Sequence, residues 1–134
     1  MRLVIDSSAL IALLENEAGA DLVADLMDDS NNECYVHAVN LCEAYYHAMR
    51  SHGQEKADLA IDWLEDPNLE ERQDMDRTFW RTAARHKADL RRVSLADCCC
   101  LTLANRVQAG VVTADHHEFD AIDQEGLCPV RFIR

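Results

Sequence analysis

The chain has 134 residues, 49% of them hydrophobic, and a net charge of −12. That length and apolar content suit one globular domain with a sizeable core and exclude a disordered chain. The apolar runs are too short to span a bilayer, and the acidic balance excludes broad electrostatic attraction to nucleic acid unless a bound cation or a local basic cluster reverses the field.

The elements are expected in alternation. Arg2 to Asp6 reads as a strand and Ser8 to Leu14 as a short helix. Ala18 to Asp29 carries Leu22, Val23, Leu26 and Met27 at helical spacing. Cys34 to Val39 is a strand, Asn40 to His52 a helix stopped by Gly53, and Gln54 to Leu64 a helix ended by "EDPN". Leu69 to Gln73 is a polar edge strand and Arg77 to Ala88 a helix. Ser94 to Ala109 is an apolar helix stopped by Gly110, and Val111 to Thr113 a short buried strand. His116 to Gln124 is helical and Val130 to Ile133 a last strand. With no repeat and no Pro/Gly-rich linker, residues 1–134 read as a single domain. Strands separated by helices predict a parallel sheet covered on both faces, with ligands beyond the carboxyl ends of the strands.

Six cysteines without a CxxC pair argue against a zinc ribbon. They are expected to be reduced, buried small hydrophobes. The first residues lack the apolar segment and cleavage site of a secretory leader, so a soluble, cytoplasmic protein is expected.

Four acids occupy comparable places. Asp6 closes "LVID", Glu43 follows the second strand, Asp97 opens the apolar helix and Asp115 closes "VVTAD". Each has an ordinary reading. Asp6 suits a helix N-cap, and Asn40-x-x-Glu43, Ser94-x-x-Asp97 and Asp115-x-x-Glu118 have the form of capping boxes. Caps, however, have no reason to converge on one end of one sheet. Converging carboxylates repel unless a cation sits between them. Mg²⁺ or Mn²⁺ takes such oxygen ligands and supports phosphodiester hydrolysis.

The blocks "VIDSSALIALL", "NLCEAYY", "SLADCCCLTLANR" and "VVTADHHEFD", in this order, resemble the PIN domain family, and within it the VapC-type toxins of toxin–antitoxin systems. The resemblance covers essentially the whole chain. It implies a three-layer α/β/α fold with a central parallel sheet of four to five strands. It implies a Mg²⁺- or Mn²⁺-dependent endoribonuclease that inhibits translation and growth. Carried over by motif, Asp6, Glu43, Asp97 and Asp115 are the catalytic set; Asp6, Asp97 and Asp115 hold the metal, and Glu43 acts through water. Ser8 and Thr113 match hydroxyl positions that orient a carboxylate or a metal-bound water. Asp120 falls at a position that is sometimes acidic and stays outside this set. The partners implied are an RNA substrate, a cognate antitoxin and a second copy of the chain, with no membrane.

Arg81, Arg85, Arg91 and Arg92 belong to a stretch, Arg77 to Arg92, that holds six of the 13 basic residues. They are candidates for steering RNA, although a solvated helix face explains them as well. Trp63, Trp80, Tyr45 and Tyr46 suit base stacking, with core packing the expected role. The "ALIALLE" and Leu22–Met27 helices are candidate docking surfaces as well as core. Two rivals are a non-catalytic module of the same fold and a PIN nuclease working in RNA processing without an antitoxin. A phosphatase would want a second Asp where Ser8 stands, and a receiver domain a neighbouring acid pair that is not found.

Overall fold

The computed structural model describes residues 1–134. Five parallel strands form one sheet: β1 (Arg2–Ile5), β2 (Glu33–His37), β3 (Leu69–Arg72), β4 (Gly110–Thr113) and β5 (Val130–Phe132), in the order β3-β2-β1-β4-β5. The chain starts at the centre, steps outward to β2 and β3, then crosses back to β4 and β5. β1 therefore pairs with β2 through Leu3↔Cys34 and with β4 through Val4↔Val111. The crevice at the carboxyl ends of β1 and β4 is the reversal point where ligands bind in such sheets.

Side-chain alternation builds a core on each face. Leu3 and Ile5 of β1 and Val112 of β4 face α1 (Ser7–Leu14) and α2 (Ala20–Asp28), where Leu10, Val23 and Met27 pack with them. Ala44 of α3 (Ala38–His52) and Leu64 of α4 (Gln54–Leu64) join this layer. Val4 and Val111 face the other way. They meet Phe79 of α5 (Arg77–Asp89), most of α6 (Leu95–Val107), and Phe119 and Ile122 of α7 (His116–Gln124). Both central strands are buried on both faces, which is why they read as continuous apolar runs. No helix is long and apolar enough to cross a membrane.

All twelve expected elements are present, and the differences lie at their ends. β1 stops at Ile5: Asp6 is still extended (φ −83°, ψ 171°), but its side chain caps α1 through Ala9 N and Ser7 begins the helix. The second strand stops at His37, and Ala38 and Val39 are helical. His37 is the N-cap of α3: its Nδ1 accepts from Val39 N (3.1 Å), which leaves Nε2 to donate to Asp74 O (2.8 Å). The expected Asn40–Glu43 box is therefore not formed, and Asn40 lies buried inside the helix. The ring of His37 stacks on Phe79 at 5.1 Å, tying β2 to α5.

Two further expectations are corrected. Trp63 and Trp80 are 62% and 44% exposed and Tyr46 is also exposed, so these aromatics do not fill the core. The core aromatics are Phe79 and Phe119. Cys42 is exposed, whereas the other five cysteines are buried and all six are free thiols. Burial pushes the thiols of Cys98 and Cys128 up to about 11 and that of Cys100 well above its ordinary value, so these are inert packing groups.

Candidate active site

Asp6 is 1% exposed at the carboxyl end of β1, and each side-chain hydrogen bond it makes comes from a donor aimed at its carboxylate. Oδ1 accepts from Ala9 N (3.0 Å) and Ser8 Oγ (2.8 Å), and Oδ2 accepts from Thr113 Oγ1 (2.9 Å). The two hydroxyl oxygens then accept backbone N–H groups beyond β4, Ser8 from Ala114 N (2.9 Å) and Thr113 from Asp115 N (3.0 Å). Ser8 and Thr113 thus brace the first acid against the segment that carries the last one. Even so, burial pushes the Asp6 carboxyl up to about 6, against the pull of these hydrogen bonds and with nearby Asp115 adding to the rise.

In front of this brace three carboxylates meet. Oxygens of Asp97, Asp115 and Glu118 lie within 4.8 Å of one another, with Asp97 buried and the other two half-buried. The local sequence explains why they are free to do so. Ser94 caps α6 by accepting from Asp97 N (3.2 Å), and Asp115 caps α7 by accepting from Glu118 N (3.1 Å). In a complete capping box the third residue would reach back to the N-cap amide. Here neither return arm is made: the Asp115 amide is taken by Thr113, and no hydrogen bond reaches the carboxylates of Asp97 or Glu118. Glu118 Oε2 is buried with no partner at all. Two helix N-termini favour the negative charge, and a hard divalent ion would fit this all-oxygen set with its orphaned buried oxygen.

Glu43 stands apart from the three. It lies in the second turn of α3, and its Oε1 accepts from Ser7 Oγ (2.9 Å), the residue after Asp6. The sequence-derived acids thus divide into Asp97 and Asp115 in the cluster, Asp6 close to Asp115, and Glu43 outside the cluster and joined to α1. Glu118 was missed as a candidate. Its spacing from Asp115 was visible, but that spacing also describes a cap, and only the unmade return arm separates the two roles.

The geometry can be set beside known proteins. Among curated proteins no sequence matches the chain. A family model described as the PIN domain matches residues 3–125. The chain belongs to the PIN domain family. Solved structures share the architecture of this PIN domain at low identity. VapBC2 from Rickettsia felis, bound to a promoter DNA fragment, aligns at TM-score 0.74 and 12% identity over 98% of each chain. DNA-bound VapBC from Salmonella typhimurium aligns at 0.74 and 16%, over 100% of this chain and 99% of that one. Mycobacterium tuberculosis VapC20, described as a toxin that cleaves the sarcin–ricin loop, aligns at 0.70 and 16%, over 90% and 94%. At these identities the likeness establishes the fold of this PIN domain.

Arg81, Arg85, Arg91 and Arg92 are all exposed. None of them, nor Arg77, takes part in any ion pair, although the chain holds 25 acidic residues. α5 packs along α6, and the loop after α5 leads into the Ser94 cap, so Arg91 and Arg92 stand close in sequence to Asp97.

Proposed function

We propose that this PIN domain is a Mg²⁺- or Mn²⁺-dependent endoribonuclease, the toxin of a toxin–antitoxin pair that inhibits translation and growth. The observation that carries the reading is the Asp97–Asp115–Glu118 convergence with its unpartnered buried oxygen. Asp97, Asp115 and Glu118 would hold the ion, with Asp6 the fourth acid at its back. Bound there, a hard divalent cation supplies charge to a phosphoryl oxygen and acidifies a water.

The protein's own groups divide the remaining work. Ser8 and Thr113 fix the Asp6 carboxylate by direct hydrogen bonds. Glu43 Oε1 is anchored by Ser7, which leaves Oε2 to orient the attacking water and take its proton. Arg81, Arg85, Arg91 and Arg92 offer unpaired cations that bring the RNA backbone past an otherwise acidic surface. His116 is engaged elsewhere, its Nε2 donating to Arg134 O (2.8 Å) and its Nδ1 facing Asp120 (3.0 Å), so it does not pair with His117 as an acid–base couple. A cognate antitoxin, supported by the toxin–antitoxin complexes that share the fold, completes the reading, together with a homodimer and a cytoplasmic setting.

The test uses purified protein, total cellular RNA and Mn²⁺ or Mg²⁺, with new RNA ends mapped. Discrete ends that vanish with EDTA and in Asp97→Asn are expected. Ends that persist in EDTA would refute the metal site, and no ends with any RNA would favour a non-catalytic module.

A further inference from the structure

Beside the acid cluster lies a cavity of about 470 Å³, lined among others by Arg92, His116, His117, Glu118, Asp120 and Gln124. Glu118 belongs to both, so the cavity adjoins the cluster at that residue. Its volume is in the range of pockets that take a small ligand. Arg92 Nη2 donates to His117 Nδ1 at 3.4 Å, which leaves His117 Nε2 as that ring's protonated nitrogen. Arg92 has no carboxylate partner, and the one remaining acid of the wall, Asp120, is engaged by His116 at 3.0 Å. The His116 ring is itself held on three sides, stacked on Phe132 at 3.9 Å and hydrogen-bonded at both nitrogens, so this part of the wall is preformed.

The structure assigns this cavity as a subsite for a backbone phosphate of the RNA strand, flanking the phosphate that is cut. Arg92 supplies charge and a planar fork of donors, His117 one N–H, and together they suit two non-bridging phosphate oxygens. An acidic protein gains most from such a clamp where its carboxylates are densest, because there the strand is otherwise repelled. The assignment rests on the nuclease reading above, and it makes Arg92 a positioning residue that holds the strand without touching the reacting atoms.

Two measurements separate the subsite from that reading. The first is cleavage of a short RNA spanning a mapped cut. Arg92→Ala should raise KM about tenfold or more, the order of one charge-assisted hydrogen bond, with little change in kcat. His117→Ala should raise it less, and Arg92→Lys should recover part of the loss. The log–log salt slope of RNA binding should fall by about 0.7 in Arg92→Ala, as for one phosphate contact on a single strand. Mn²⁺ affinity and unfolding midpoint should stay as in the wild type, since both side chains are exposed. The second measurement is an NMR titration with uridine 3′,5′-bisphosphate in Mg²⁺, following the His117 ring. A saturable shift that Arg92→Ala abolishes is expected. Such a shift without any RNA cleavage would support phosphate binding at Arg92 and His117, overturn its placement beside a cut phosphate and favour a non-catalytic module. Cleavage with unchanged KM in Arg92→Ala and no shift at His117 would overturn the subsite and leave the nuclease standing.

Discussion

Asp6→Asn should make the cation-free protein more stable while abolishing cleavage. An unfolded aspartate titrates near 3.8, and burial moves Asp6 to about 6 in the fold. That rise of about 2 pKa units corresponds to about 3 kcal/mol, at 1.36 kcal/mol per unit. The sign follows from which state binds the proton more tightly. Below about pH 3 both states are protonated and Asp6 costs nothing. As pH rises through 6 the folded state must ionise a buried group, and that stability is lost. Asparagine keeps the acceptor for Ala9 N and Ser8 and presents an amide donor to Thr113, without the ionisation. Urea unfolding in EDTA should therefore show the variant ahead by up to about 3 kcal/mol at pH 8, with the gap closing towards pH 4. Saturating Mn²⁺ should narrow the gap at pH 8 by stabilising the wild type. A variant less stable at pH 8, or a gap that does not change with pH, would refute the account of Asp6 as a desolvated carboxylate.

Three other outcomes follow from the geometry. Glu118→Gln should weaken Mn²⁺ binding by about tenfold or more on calorimetric titration, and unchanged affinity would remove Glu118 from the ligand set. Thr113→Val takes a donor from Asp6 and an acceptor from Asp115 N; it should cost about 1–3 kcal/mol and move the Asp6 transition to higher pH in the same unfolding series. Gly19 has φ +93°, and an added Cβ would lie 2.7 Å from Ile133 O. Gly19→Ala should therefore destabilise the fold by about 1–3 kcal/mol, with faster amide exchange at Ile133, whose N–H holds Thr113 O at 2.9 Å.

The strands and helices were legible because apolar periodicity survives in nearly every segment. Val4 and Val111 point to one layer and Leu3, Ile5 and Val112 to the other, as expected of doubly covered strands. Boundaries were harder where a polar residue serves two elements. Asp6 and His37 each end a strand and cap the next helix, and a histidine cap has no common sequence signature. Trp63 and Trp80 were assigned to the core by residue type, but their neighbours in sequence cannot tell which side of a helix meets the sheet. Within the candidate site, Ser8 and Thr113 came from the family resemblance, which has hydroxyl residues two places from the acids, and the structure shows both hydroxyls hydrogen-bonded to Asp6. Glu118 escaped because a cap and a metal ligand share one spacing, and the difference lies in a hydrogen bond that is not made.

The brace on Asp6 also has a consequence in time. Thr113 donates to Asp6 across 107 positions of sequence, and β1 lies between an early neighbour and a late one. A growing chain that has emerged only as far as α5 has the first acid but lacks its clamp, Asp97, Asp115 and Glu118. The three-carboxylate cluster cannot assemble until β4 has paired with β1 and the first turns of α7 have formed behind it. For the nuclease proposed above, catalytic capacity would then arrive late in synthesis, and the ribosome translating it would face only an unassembled, inactive site.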